Sequence, residues 1–135
     1  MCLGVVLLLF ACSGGPSEED LEFLQGYWEI RRVIFPDGGE KEYVASAAIE
    51  YLAWDGQTGF RKKMQPTIKG TFLTSDDALP MKIIWRDQRL FLSFEGGEAP
   101  WEEEVLKLQQ DVLITRHANG LRYEYSRYEP LQIPE

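Results

Sequence analysis

The sequence predicts an all-β domain, a barrel or sandwich of about eight to ten short antiparallel strands with a short N-terminal helical turn. Three observations carry this. Short runs rich in β-branched, aromatic and aliphatic residues recur from Tyr27 to Tyr128, each bounded by turn residues. Within the later runs the apolar side chains alternate with period two, as a half-buried strand requires. The cysteines, Cys2 and Cys12, both precede the domain, so packing and backbone pairing must hold it without a disulfide or a thiolate metal site.

Length and composition agree. A chain of 135 residues is one domain, and 44% hydrophobic with 13% aromatic residues is enough to build a core. The formal net charge of -8 argues against nucleic acid, whose phosphates demand clustered cations. Arg61-Lys62-Lys63 is the local basic run, and inside a strand it reads as a solvated face.

Residues 1–11 read as a signal segment. Leu3 to Phe10 is apolar but far short of the roughly 20 residues a membrane-spanning helix needs. Leu9-Phe10-Ala11-Cys12 resembles the bacterial lipobox, with Phe10 where that motif has a smaller residue. The resemblance implies cleavage before Cys12 and a diacylglycerol on its thiol. No Lys or Arg precedes the apolar run, so the start codon is expected upstream of Met1. Residues 12–20, running through Ser13-Gly14-Gly15-Pro16-Ser17-Glu18-Glu19-Asp20, have no apolar residue to pack and read as a solvated tether. Its acidic cluster resembles surface-export signals of Bacteroidetes-type lipoproteins. The expected location is the bacterial cell envelope, anchored to the outer membrane through Cys12 on its periplasmic or surface face.

The domain occupies residues 21–135. A helical turn is expected over Asp20 to Gln25, capped by Ser17 or Asp20 and stopped by Gly26. Strands are expected over Tyr27–Phe35, Lys41–Val44, Ile49–Trp54, Gly59–Gln65, Thr67–Thr74, Met81–Arg86, Arg89–Glu95, Trp101–Leu108, Val112–His117 and Leu121–Tyr128. Pro36-Asp37-Gly38-Gly39 makes a turn, and Ser46-Ala47-Ala48 adds a helical one. A two-residue turn at Asp87-Gln88 pairs Trp85 with Leu90, Ile83 with Leu92 and Met81 with Phe94, all apolar and on one face. A two-residue turn at Asn119-Gly120 would pair Arg116 with Tyr123, Ile114 with Tyr125 and Val112 with Arg127. Leu106 and Leu108 continue that face, while Arg122, Glu124 and Ser126 face water.

Gly26-Tyr27-Trp28 at the first long strand matches the Gly-x-Trp motif of lipocalins and related calycins, and Arg127 stands where that superfamily has an arginine on the last strand. Leu24 to Ile30, Pro36-Asp37-Gly38, Gly59 to Lys63 and the ending Tyr123-Glu124-Tyr125-Ser126-Arg127-Tyr128 resemble lipocalin-like lipoproteins of Bacteroidetes over nearly all of the mature chain. The resemblance implies a small up-and-down barrel. Trp28 would plug its closed end, and Arg127 would lie across the indole, a contact worth about 0.5–2 kcal/mol.

Candidate chemistry is sparse. His117 is the sole histidine and reads as a surface turn residue. Asp76-Asp77 and Glu102-Glu103-Glu104 lack the alternation of a calcium loop and read as solvated faces. No metal site, cofactor or catalytic residue is assigned, and the protein is expected not to be an enzyme. Trp85, Phe94, Tyr123 and Tyr125 would face the interior, with Arg116 beside Tyr123 either placed to hold a ligand carboxylate, as in barrels of the fatty-acid-binding type, or facing solvent past the strand end. The function expected is a monomeric, lipid-anchored binder of a small apolar or amphipathic ligand. The alternative is a filled barrel that recognises protein or glycan through the Ser75–Pro80 and Gly96–Pro100 loops.

Overall fold

A computed structural model describes residues 15–43, 49–66, 72–74, 78–96 and 99–128. The signal segment, Cys12, the Ser46-Ala47-Ala48 turn, the Asp76-Asp77 loop and the last seven residues lie outside them. The described chain opens with a 3-10 helix, Glu18–Phe23. Its start is a local consequence of sequence: the Ser17 amide and hydroxyl both donate to Asp20 Oδ2, at 2.9 and 3.2 Å. Leu21 and Leu24 then turn inward and are buried.

Ten strands follow: β1 (Gly26–Ile34), β2 (Glu40–Glu42), β3 (Ile49–Asp55), β4 (Thr58–Pro66), β5 (Phe72–Thr74), β6 (Leu79–Arg86), β7 (Arg89–Phe94), β8 (Trp101–Leu108), β9 (Val112–His117) and β10 (Arg122–Arg127). All pairings are antiparallel, and the ring β1-β3-β4-β6-β7-β8-β9-β10 closes by pairing β10 back on β1. Closure removes the free edges that an open sheet would expose. Two short strands lie outside the ring: β2 takes the edge of β1 beyond β3, and β5 that of β4 beyond β6. The predicted strand over Thr67–Thr74 is thus represented in the described residues by its last three.

The β6–β7 hairpin has the register expected, Met81 opposite Phe94, Ile83 opposite Leu92 and Trp85 opposite Leu90. Asp87 and Gln88 both have positive φ, 50° and 64°, the conformation of a two-residue type I′ turn. The last hairpin departs from expectation. His117 N donates to Leu121 O, and Gly120, at φ +89°, completes a three-residue loop. The extra residue slips the register by one: Tyr123 lies opposite Thr115, and Tyr125 opposite Leu113. Since faces alternate, that slip turns Leu113, Thr115 and His117 inward and puts Val112, Ile114 and Arg116 outside. Likewise, a bulge between Val105 and Lys107 puts Leu106 on an outer crevice beside Pro16 and Ile114, while Leu108 stays buried.

The core is one cluster with two ends. Leu21, Leu24, Trp28 and Leu108 fill the end under the 3-10 helix, with Leu52, Ile83, Leu90, Leu92 and Leu113 among its other buried members. Toward the opposite end, where β7 gives way to β8 and β9 to β10, polar side chains enter.

Candidate functional site

The closed end is fixed by Trp28 and Arg127, which are direct cross-strand partners. Trp28 is fully buried, and its indole N–H donates to Leu24 O at 2.9 Å, tying strand to helix. The Arg127 guanidinium lies 4.0 Å above the indole and donates to the carbonyls of Gln110, Gln25 and Phe23 at 2.8, 2.8 and 2.5 Å. Gly26 makes room for it: at φ +129° a Cβ there would stand 2.6 Å from Arg127 Nη1. This end is a structural plug.

The other end carries ionic chemistry inside the ring. Period two, started from Leu52, puts Glu50 on the inner face of β3, and its register partners on β4 put Arg61 and Lys63 there too. On β8, Trp101, Glu103 and Val105 share the inner face. Arg61 Nη1 lies 3.0 Å from Glu103 Oε2 and 3.7 Å from Glu50 Oε2, with its guanidinium 4.0 Å from the Phe94 ring centre. Glu103, 1% exposed, also accepts from Trp101 Nε1 at 3.1 Å and Thr115 Oγ1 at 3.2 Å, and its Oε1 lies 3.2 Å from His117 Nε2. His117 packs on Tyr123 at 4.4 Å between ring centres, Tyr123 follows on Tyr125 at 6.5 Å, and Phe94 stacks on Trp101 at 5.3 Å.

These neighbours set the charges. Burial pushes the Glu103 carboxyl up, but the His117 hydrogen bond, the Arg61 charge and the Trp101 N–H outweigh it and hold it at about 2. Burial raises Glu50, and Arg61 only partly opposes that, with Glu103 adding repulsion. Tyr125 is pushed well up by burial and then by the two carboxylates, so its hydroxyl stays protonated. Glu50 and Arg61 keep 18% and 13% of their side-chain surface accessible although the barrel wall surrounds them. They therefore keep some contact with solvent, unlike the neighbouring Phe94 and Glu103.

Of the interior residues expected from sequence, Phe94, Tyr123 and Tyr125 come together here. Trp85 faces inward at the closed end, near Gln88 and the segment before the 3-10 helix. Arg116 is outside, paired with Glu104 at 2.7 Å and half-exposed. His117 is inside rather than a surface turn residue. Glu103 and Arg61 were each hidden within a charge run that reads as solvated. The signal available was alternation: Glu103 lies midway between Trp101 and Val105, and Arg61 faces Leu52. Among the described residues no group of three or more His, Cys, Asp or Glu side chains is placed to hold a metal ion.

A closed up-and-down ring of eight strands, with a Gly-x-Trp entry and a last-strand arginine laid over that Trp, is the architecture of a lipocalin-like barrel. Among solved structures, the chain is similar in fold to a lipocalin-like protein from Bacteroides uniformis, at 12% identity and a TM-score of 0.50, over 78% of this chain and 99% of that one. It is also similar to apocrustacyanin C2, at 12% identity and a TM-score of 0.50, over 86% of this chain and 67% of that one. No protein-family model matches the sequence, and no curated protein does.

Proposed function

We propose that this protein is a lipoprotein of the bacterial cell envelope, held to the outer membrane through Cys12, whose barrel binds a small apolar or amphipathic molecule. The observation that carries the binding reading is the ionic cluster of Glu50, Arg61 and Glu103, flanked by Phe94, Trp101, Tyr123 and Tyr125, inside one end of a barrel plugged at the other, with Glu50 and Arg61 still partly accessible. A barrel serving only as a filled scaffold gains little stability from charges placed there, since replacing a buried ion pair by apolar residues of similar volume is often neutral or stabilising. Aromatic walls with a few convergent polar groups are the usual composition of a small-molecule site. The cluster reads as recognition rather than catalysis, because a carboxylate held at about 2 by His117, Arg61 and Trp101 is a weak base at neutral pH.

The test is native mass spectrometry on the chain carrying Cys12→Ser, before and after organic extraction. A co-purified mass that leaves on extraction, with a lower melting temperature afterwards, is expected. Bare protein whose stability does not change with a lipid extract would instead favour the filled-barrel module. The anchor is tested separately: Cys12→Ser should move the protein from the detergent to the aqueous phase in a phase-partition assay.

A further inference from the structure

Among the described residues, Arg61 is the one cation in ion-pair contact with both of the inward carboxylates at the polar end. Arg61 is already engaged, between Glu103 and Glu50 on its edge and Phe94 on its face. Glu103 is engaged too, by Arg61, Trp101, Thr115 and His117. Glu50 differs. Its sole ion-pair contact among the described residues is the shared Arg61 at 3.7 Å, beyond hydrogen-bond range. Among those residues no donor reaches it, and Lys63, its neighbour across β4, is exposed. The charged and titratable groups around it are thus Arg61, Lys63, Glu103 and His117, with Tyr123 and Tyr125 as neutral hydroxyls. Two inward carboxylates face one buried guanidinium. Both carboxylates contact Arg61 through Nη1, so a ligand carboxylate approaching this guanidinium would lie against Glu103 and Glu50.

We infer that, if the barrel binds a ligand as proposed above, that ligand is an amphipathic amine, its ammonium paired with Glu50 and its apolar part laid against the partly buried aromatic side chains of Trp101 and Tyr123. Glu50 keeps 18% of its side-chain surface accessible, so an ammonium can approach it from solvent. An arriving cation would also relieve the burial penalty that raises this carboxyl.

Isothermal titration calorimetry at pH 7 with decylamine, decanoate and decan-1-ol, on the full chain carrying Cys12→Ser with and without Glu50→Gln, tests this. Decylamine is expected to bind at least about tenfold more tightly than either other probe, and Glu50→Gln to bring it to the level of decan-1-ol. Decanoate binding as tightly as decylamine overturns the amine assignment. So does decylamine binding that ignores Glu50→Gln while decan-1-ol still binds. Either result leaves the binding reading standing. If none of the three probes binds, the binding reading falls, and the amine assignment falls with it. The selectivity of the unsubstituted barrel is read without the variant, so a folding defect in Glu50→Gln does not decide the outcome.

Discussion

Glu103 and Glu50 lie on either side of the Arg61 guanidinium, at 3.0 and 3.7 Å, yet their surroundings set them in opposite directions. Glu103 is held at about 2, against 4.5 for a free side chain, so the unfolded chain takes up its proton first as pH falls. Its stabilising contribution is complete above about pH 4.5 and is lost as pH falls toward 2. Glu50 is raised, so the unfolded chain releases its proton first as pH rises. Below about 4.5 it is neutral in both states and contributes nothing. Above that, it destabilises the fold increasingly until it ionises in the barrel as well. Glu103→Gln should therefore lower stability at pH 7 by about 3 kcal/mol, because it leaves Arg61 buried with the weaker of its two partners. Glu50→Gln should leave ligand-free stability at pH 7 equal or higher, with its advantage shrinking as pH is lowered toward 4.5. Urea unfolding of both variants from pH 3 to 8 checks the pair. A destabilised Glu50→Gln would mean that Glu50 serves the fold rather than an occupant of the barrel.

Hairpins decided which side chains could be found from sequence. At Asp87-Gln88 the two-residue turn is right, and with it every inward residue of β6 and β7. At Asn119-Gly120 the same reasoning misplaces a whole face. Asn-Gly favours a two-residue turn, but here Gly120 closes a three-residue loop whose extra residue reverses the sides of β9. Alternation of β9 alone could not correct it, because Val112 and Ile114 are as apolar as Leu113. Strand positions and the Trp28–Arg127 plug were therefore legible, whereas the meeting of His117, Thr115, Glu103 and Arg61 emerges only once the ring closes and brings β4 across from β8 and β9. Two outcomes follow for these elements. Arg116→Ala, outside the ring, should cost less than about 1 kcal/mol and leave ligand binding unchanged; lost binding would mean that the last hairpin has the other register. At the β6–β7 turn Asp87 tolerates its positive φ but Gln88 does not suit its own, so Asp87→Asn combined with Gln88→Gly should raise stability by about 1 kcal/mol in thermal melts.

For the whole molecule the critical event is closure, which joins strands about 100 residues apart in the chain and so costs considerable entropy. Arg127 concentrates the reward for it. Its side chain alone reaches the helical segment through Phe23 and Gln25, the β8–β9 turn through Gln110, and β1 through Trp28. Gly26 is bound to the same arrangement, because its missing Cβ is the space Arg127 Nη1 occupies. The two positions should therefore be energetically coupled. Arg127→Ala is expected to cost about 3 kcal/mol through the lost charge-assisted bonds and the indole contact. Gly26→Ala carries two penalties, backbone strain at φ +129° and collision with the guanidinium. Removing Arg127 relieves the second and leaves the first. In a double-mutant cycle read by urea unfolding, Gly26→Ala should cost at least about 1 kcal/mol less in the Arg127→Ala background than in the unsubstituted chain. Additive costs, within about 0.5 kcal/mol, would show that the glycine answers to its backbone conformation alone and that Arg127 closes the barrel without it.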